Sequence, residues 1–278
     1  MRFEIITIFP EFFSSFFENG ILRRALAEGL VTVGMHDLRA FTHDRHRTVD
    51  DRPFGGGEGM VLKVEPLAEA LASLGIEPNV ERHASNAAQA ATAPPQVVLL
   101  SAQGRRFTQA MARELAAEER VVLICGRYEG VDERVNQLYC DMELSIGDYV
   151  LSGGELAAAV VVDATMRLIP GVLGNEASGE FESFGVADAE ITTDAEGVPR
   201  SQHGAGGLLD YPHYTRPAEF GGLRAPEVLM NGDHSAIRRW RREQQLRKTL
   251  ANRPDLLEGA ALSKEDRKML EAIRQEGA

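Results

Sequence analysis

The sequence has few cysteines and no long apolar segment. Its 278 residues include two cysteines, Cys125 and Cys140, and no Cys-x-x-Cys pair, which excludes a disulfide scaffold and a zinc ribbon. The longest uninterrupted apolar run, Leu156–Val162, is too short to span a membrane. The first residues have the pattern of a strand and not that of a signal peptide. We therefore expect a cytoplasmic protein with no membrane segment.

Four common catalytic signatures are also missing. The sequence contains no Gly-x-Gly-x-x-Gly, no Gly-Lys-Ser/Thr, no His-Glu-x-x-His and no Gly-x-Ser-x-Gly. Rossmann dinucleotide binding, P-loop phosphate binding, zincin chemistry and the hydrolase nucleophile elbow therefore lack their usual signals.

Lysine is scarce, and basic charge is unevenly distributed. The chain has 42 Asp+Glu against 30 Lys+Arg, a net charge of −12, which as an average argues against an anionic partner. Residues 238–248 nevertheless hold six positive charges and one negative, whereas residues 175–200 carry a net charge of −6. Because phosphate binding depends on local charge, the average is a poor guide to the partner.

The first three-fifths of the chain alternate strand and helix patterns. Strands are predicted at Phe3–Phe9, Val31–Leu38, Val97–Leu100, Arg120–Cys125 and Met142–Ile146, and helices from Pro10 to about Glu28, at Pro66–Leu74 and at Leu156–Ile169. A capping box at Ser152–Glu155 precedes the last helix. This order predicts an α/β fold with a parallel sheet.

The composition changes after Gly174. Residues 77–95 and 175–207 lack apolar periodicity, so we predict a surface insertion and an acidic linker or lid there. Helices are predicted at Ser235–Leu250 and Ser263–Glu276. The predicted domains are 1–173, the linker 174–207 and a smaller helical C-terminal domain, 208–278.

Three glycine-rich segments at 101–104, 126–130 and 145–154 follow predicted strands. The carboxyl ends of parallel strands meet at one sheet edge, where exposed backbone groups bind ligands. Glycine is also common in ordinary turns, so a small-molecule site and simple turns both remain open.

Two arginine-rich segments are candidates for RNA contact. Residues 43–59 combine arginines with a glycine loop, although aspartates balance the charge and favour a solvated loop. Residues 238–248 place Trp240 among arginines, as RNA-binding surfaces do. The alternative, which we favour for Trp240, places its ring in the core. The scattered His203, His213 and His234 are interpreted as surface or capping residues.

Five blocks closely resemble the bacterial tRNA (guanine-N1)-methyltransferase family (TrmD). They are residues 48–60, 125–134, 145–156, 169–174 and 208–217, and they occur in the family's order. The resemblance implies methylation of N1 of the guanosine at tRNA position 37, in tRNAs with guanosine at positions 36 and 37. It also implies a SPOUT-type parallel sheet with a deep trefoil knot, a homodimer, and S-adenosylmethionine bound in the knot, with each active site built from both subunits.

The resemblance also assigns site residues. For the cofactor it implies Leu100, Ser101, Gly104, Gly126, Tyr128, Glu129, Gly130, Ile146, Gly147, Asp148, Tyr149, Val150, Leu151, Gly153 and Gly154. For tRNA it implies Arg52, Gly55, Gly59, Arg238, Arg239 and Arg241. Family members are described as needing magnesium, but the sequence has no dedicated metal cage, so we expect Mg²⁺ to bind chiefly with the substrate.

The catalytic residues include one departure from the family. Arg167 matches the arginine that faces the target guanine, where it can stabilise charge on O6. The family's general base is usually an aspartate in Asp-Ser-Phe or Asp-Ser-His, but here the triplet is Glu182-Ser183-Phe184, followed by an insertion at 185–206. We expect Glu182 to be the base, with Asp210 as the competing candidate. The departure keeps open the hypothesis of an RNA-binding protein that has lost catalysis. A third hypothesis, a related enzyme with another target base, is disfavoured by the blocks at 48–60 and 208–217.

Overall fold

The computed structural model describes residues 1–80, 82, 94–174, 179, 181–185 and 204–276. Two compact units divide the chain, Met1–Gly174 and Asn175–Ala278. Most of the predicted insertion at 77–95 and of the predicted linker at 174–207 lies outside the described residues.

The first unit is built on a five-stranded parallel sheet. Its strands are β1 (Arg2–Thr7), β2 (Thr32–Asp37), β5 (Gln96–Arg106), β6 (Arg120–Cys125) and β7 (Met142–Ser145). They lie in the order β2-β1-β6-β5-β7, and every neighbouring pair is parallel. Two short strands, β3 (Asp50–Asp51) and β4 (Val61–Leu62), form a separate antiparallel pair. The predicted α/β class and parallel sheet are confirmed.

Helices cover both faces of this sheet. They are α1 (Ser14–Phe17), α2 (Gly20–Ala27), α3 (Val64–Ser73), α4 (Gln109–Ala116), α5 (Glu133–Tyr139) and α6 (Glu155–Met166), with 3-10 turns at Pro10–Phe13 and Leu38–Phe41. Strand β6 shows why two layers form: Leu123 packs into one buried cluster and Ile124 into the other. Successive side chains of a strand point to opposite faces, so a fully apolar strand needs helices on both sides.

Two predicted elements differ from the structure in extent. The predicted helix from Pro10 to Glu28 is divided into three short segments, and Gly20, with φ of 60°, begins the last of them. Such a left-handed φ cannot continue a right-handed helix, so the chain changes direction there. Strand β5 is longer than predicted: both Leu100 and Arg105 pair with Leu144, so residues 101–104 form a bulge within the strand and not a turn at its end.

The predicted capping box before α6 is wrong. Gly154 is the N-cap residue and no side chain caps the helix. The Glu155 carboxylate, which a capping box would direct back to the backbone, is buried and contacts other side chains instead. The helix also ends at Met166, earlier than the predicted Ile169.

The second unit is mainly helical in the part described. It contains β8 (Glu219–Phe220) paired with β9 (Leu223–Arg224), α7 (His234–Asn252), α8 (Lys264–Glu276) and 3-10 turns at Glu227–Leu229 and Pro254–Leu257. Both predicted helices are confirmed. The Ser263–Asp266 capping box at the start of α8 is present, with Asp266 N–H donating to Ser263 Oγ at 3.0 Å and Ser263 N–H to Asp266 Oδ2 at 2.9 Å.

A buried ion pair joins the two long helices of this unit. Arg242 of α7 donates to both carboxylate oxygens of Asp266 of α8, at 2.7 and 3.0 Å. Burial alone would raise the pKa of Asp266, but the hydrogen bonds and charge of Arg242 outweigh it and hold the pKa below 3.8.

None of the helices among the described residues combines the length and the apolar composition that a membrane span requires.

We expect Asp266→Asn to destabilise the second unit by about 3–5 kcal/mol, because it leaves the Arg242 charge buried without its counter-ion. Trp240 is the single tryptophan and lies on α7, so its fluorescence during urea unfolding measures this unit. The matched control is Asp255→Asn, which breaks the exposed pair with Arg253 and should leave the free energy of unfolding nearly unchanged.

The pH dependence gives a second measurement of the same pair. Because the folded pKa of Asp266 lies below its ordinary 3.8, the stabilisation is complete above that value and is lost as the pH falls through the folded pKa. The acid limb below pH 3.8 should be shallower in Asp266→Asn. Equal decreases in the free energy of unfolding of the Asp266→Asn and Asp255→Asn variants would contradict this account.

Candidate functional site

A cavity of about 240 Å³ lies at the carboxyl ends of β5, β6 and β7 of the first unit. Its walls come from the bulge in β5, from the loop between β6 and α5, and from the loop between β7 and α6. The cavity brings together 13 of the 15 residues expected to hold a cofactor: Leu100, Ser101, Gly126, Tyr128, Glu129, Gly130, Ile146, Gly147, Tyr149, Val150, Leu151, Gly153 and Gly154.

The two remaining residues serve the surrounding structure. Gly104 does not line the cavity; an added Cβ there would lie 2.5 Å from the backbone of Glu143 and Leu144, so its role is close packing of β5 against β7. The Asp148 side chain is exposed and pairs with Arg106 at 2.6 Å. The Asp148 side chain is therefore not part of the cavity lining, although its segment is.

Direct backbone contact between two loops forms one cavity wall. Gly154 N–H donates to Gly126 O at 2.8 Å, and Arg127 and Gly153 form an isolated antiparallel bridge. A Cβ at Gly154 would lie 2.7 Å from Cys125 Cα, and one at Gly126 would lie 2.9 Å from Leu100 O. The glycines are therefore required because backbone meets backbone here.

Sequence patterns did not identify several polar residues at this cavity. Gln103, Arg127, Glu133 and Glu143 also line it. Arg127 could have been found from its position within a predicted glycine-rich loop. The same holds for Gln103, which lies in the predicted segment 101–104, whereas Glu143 lies within strand β7 and no sequence signal marked it.

The glycine loop expected to bind tRNA ends beside the cavity. Glu129 N–H donates to Met60 O at 3.0 Å, and a Cβ at Gly59 would overlap the Glu129 side chain. Gly55 precedes Gly59 in the same loop and has a φ of 86°. The Arg52 side chain is exposed. The structure thus brings one end of the predicted RNA-contact loop to the rim of the predicted cofactor site.

Arg167 does not line the cavity. It follows the last residue of α6 and is half-buried. Its backbone N–H donates to Asp163 O at 3.4 Å.

The two candidate bases lie on adjacent segments of the second unit. Phe184 N–H donates to Leu208 O at 2.8 Å, and Asp210 N–H donates to Ser183 Oγ at 2.9 Å. Asp210 is engaged locally: Oδ1 accepts from Tyr211 N–H, and Oδ2 lies 3.0 Å from His213 Nε2. Glu182 is half-buried in the neighbouring segment. His203 lies outside the described residues.

The arginine-rich helix α7 exposes fewer unpaired positive charges than its sequence suggests. Arg242 is buried against Asp266, and Arg247 pairs with Glu243 at 2.7 Å and with Glu276. The side chains of Arg238 and Arg241 are half-buried and that of Arg239 is exposed. The Arg241 guanidinium lies 4.8 Å from the centre of the Tyr211 ring.

Trp240 does not lie in the core as expected. It is half-buried, and its ring centre is 6.2 Å from that of Tyr214. The buried residues of α7 include Ile237, Gln245 and Leu246 but not Trp240.

Neither cysteine is suited to nucleophilic chemistry. Burial, reinforced by the Glu155 carboxylate, raises the pKa of the Cys125 thiol well above its usual value. Burial, with Asp141 nearby, raises the pKa of Cys140 to about 12. A thiol kept protonated is a weak nucleophile.

Among the described residues, no three His, Cys, Asp or Glu side chains form a group that could hold a metal ion.

We expect Gly154→Ala to distort the cavity wall and destabilise the first unit by about 1–3 kcal/mol, because the new methyl group meets rigid backbone. Thermal unfolding followed by circular dichroism measures this. Gly174→Ala is the control, since its Cβ would approach nothing nearer than an Arg24 side-chain nitrogen at 3.8 Å. Equal unfolding midpoints for the two variants would contradict the close-packing account.

Comparisons with known proteins identify the family of the chain. The profile of the family described as tRNA (Guanine-1)-methyltransferase TrmD matches residues 1–259. Three curated relatives bear the name tRNA (guanine-N(1)-)-methyltransferase. The protein of Koribacter versatilis is 57% identical over 99% of this chain and 98% of its own length. The protein of Dehalococcoides mccartyi is 48% identical over 99% of this chain and 98% of its own length. The protein of Geobacter metallireducens is 46% identical over 100% of this chain and 99% of its own length. The chain therefore belongs to the tRNA (guanine-1)-methyltransferase family, TrmD.

Proposed function

We propose that this protein transfers a methyl group from S-adenosylmethionine to N1 of the guanosine at position 37 of tRNA. The observation that carries the proposal is the glycine-walled cavity at the sheet edge, which joins three segments that the family resemblance assigns to the cofactor. Family membership over nearly the whole chain supports the reaction class.

The cavity has the chemistry that this cofactor requires. Glycine at positions 126, 153 and 154 places backbone without side chains on the cavity wall, which suits the close approach of a flat adenine ring. Carboxylates of Glu129 and Glu143 line the same space and complement a cationic ligand. Bound there, S-adenosylmethionine would supply an electrophilic methyl group.

The protein side chains would prepare the guanine. Guanine N1 carries a proton and is a poor nucleophile until that proton leaves, so a general base is needed. We assign this role to Glu182, with Asp210 as the competing candidate, and we assign to Arg167 the stabilisation of negative charge on O6. The position of the Glu182-Ser183-Phe184 triplet, which matches the family's Asp-Ser-Phe, supports Glu182.

We also propose a homodimer, with each active site formed by the first unit of one subunit and the second unit of the other. Apolar side chains exposed at the cavity loop and on α6 support a covering partner: Tyr149, Val150, Leu156 and Val160. The proposal includes a trefoil knot in domain 1–173, a linker or lid at 174–207 and a tRNA-binding domain at 208–278. It places the enzyme in the cytoplasm.

For tRNA contact, we assign the loop with Arg52, Gly55 and Gly59, and the helix residues Arg238, Arg239 and Arg241. The exposed side chains of Arg52 and Arg239 support phosphate contact. Mg²⁺, if required, would enter with the RNA, whose phosphates attract the ion.

The reaction is tested with S-adenosylmethionine and an unmodified tRNA transcript that carries guanosine at positions 36 and 37. We expect nuclease digestion to yield 1-methylguanosine, and a transcript with adenosine at position 37 to yield none. Tight tRNA binding with no methylated nucleoside, over a range of magnesium concentrations, would support an RNA-binding protein without catalysis. A different methylated nucleoside would support another target base.

The base assignment is tested by single-turnover methylation. We expect Glu182→Gln to slow methyl transfer by about 10²-fold or more, the range typical of a lost general base, and Asp210→Asn to change it far less. Glu258→Gln, which alters an exposed carboxylate of the same unit, is the control. A near-normal rate for Glu182→Gln together with a large loss for Asp210→Asn would reverse the assignment.

A further inference from the structure

Four residues behind the cavity wall form a closed ring of interactions, which we name the Glu155 network: Thr7, Phe9, Arg127 and Glu155. Thr7 Oγ donates to Glu155 Oε1 at 2.8 Å, and Arg127 Nη1 donates to Glu155 Oε2 at 3.1 Å. Phe9 N–H donates to Thr7 Oγ at 3.0 Å. The Arg127 guanidinium lies 4.6 Å from the centre of the Phe9 ring and closes the ring.

The central carboxylate is almost fully buried. The side chain of Glu155 is 4% exposed and that of Arg127 is 25% exposed. A buried carboxylate is tolerated when it is paired and hydrogen-bonded, and here each oxygen has its own donor. The network thus holds a charge inside the first unit at a defined position, directly behind the loops that line the cavity.

The network joins three separate parts of the chain. Thr7 ends β1, Arg127 lies in the loop after β6, and Glu155 begins α6 directly after the loop from β7. Arg127 passes over Gly153, where an added Cβ would overlap both Arg127 Nη1 and Glu155 Oε2. The ion pair and Gly153 therefore depend on each other, and the two cavity loops are fastened by side chains as well as by backbone.

The loop after β6 has a backbone that needs such support. Tyr128 adopts a left-handed conformation with φ of 60°, which is uncommon for a residue other than glycine. Surrounding contacts must hold a residue in a sparsely populated conformation. Arg127, the adjacent residue, lines the cavity, whereas Thr7 and Glu155 do not.

We propose that Glu155 and Thr7 are positioning residues for the cofactor cavity, acting through Arg127 to hold the two glycine loops in their binding geometry. This deepens the proposed function and rests on it, because the cavity is there assigned to S-adenosylmethionine. Neither residue contacts that cavity, so the effect is indirect: without the network, the loop containing Tyr128 moves away from the loop containing Gly153.

The test compares paired variants. Glu155→Gln keeps the side-chain shape and removes the charge, Thr7→Val keeps the shape and removes the hydroxyl, and Thr7→Ser restores the hydroxyl. Glu65→Gln is the matched control, since Glu65 is also a first-turn glutamate, of α3, but is exposed. Unfolding midpoints identify any variant that fails to fold. If Glu155→Gln fails to fold, Thr7→Val still tests the proposal.

The first measurement is calorimetric binding of S-adenosylmethionine and of S-adenosylhomocysteine. We expect the Kd to rise by about tenfold in Glu155→Gln and by about threefold in Thr7→Val, since small displacements of positioning groups have large effects. Thr7→Ser and Glu65→Gln should stay within about twofold of the wild type. An unchanged Kd in folded Glu155→Gln and Thr7→Val would overturn the proposal. Absence of binding by the wild type would instead refute the proposed function.

The second measurement needs no ligand. Cys125 lies under the contact with Gly154, and Cys140 is buried elsewhere in the same unit, so their alkylation rates by iodoacetamide report local opening against an internal reference. We expect the Cys125 to Cys140 rate ratio to rise by about threefold in Thr7→Val, which leaves the Glu155 charge in place, and to return in Thr7→Ser. An equal rise at both cysteines would indicate general destabilisation and overturn the positioning role.

Discussion

Close backbone contact between two loops at one edge of the sheet is the constraint on which the rest of the first unit depends. The loop after β6 and the loop before α6 touch at Gly126 and Gly154, at a separation that leaves no room for a side chain. Parallel strands supply this geometry because their carboxyl ends lie together. The cavity exists because these loops meet, and glycine lets their backbones form its wall without side chains.

Backbone contact by itself does not explain how the loops keep their shape. A buried carboxylate behind them accepts from Thr7 and from Arg127, and thereby joins the ends of β1 and β6 to the start of α6. Such an arrangement follows from the cost of burying charge: an ion pair inside a fold is stable in one geometry and unfavourable in others. A helix start that resembles a capping box in sequence therefore serves the tertiary structure instead.

Burial and pairing also determine which arginines of the second unit remain exposed. The arginines of α7 look alike in sequence, yet Arg242 joins two helices through Asp266 and Arg247 pairs with two glutamates, while Arg239 faces solvent. Local charge counted along a sequence therefore overstates the charge available to RNA. The proposed tRNA surface rests on fewer arginines than the composition of 238–248 indicates.

The sequence by itself determined the α/β class, the five strands, the two C-terminal helices and most of the residues that meet at the cavity. These follow from local signals: apolar runs, glycine at strand ends, and motif blocks of high specificity. Only the tertiary structure decided that residues 101–104 bulge out of β5, that Glu155 turns inward, that Trp240 leaves the core and that Arg242 is buried. The bulge depends on β7, the position of Glu155 on Thr7 and Arg127, and the burial of Arg242 on Asp266, and each of these partners is distant in sequence. Contacts of this kind are decided by packing and by the pairing of buried charge, which no local pattern encodes.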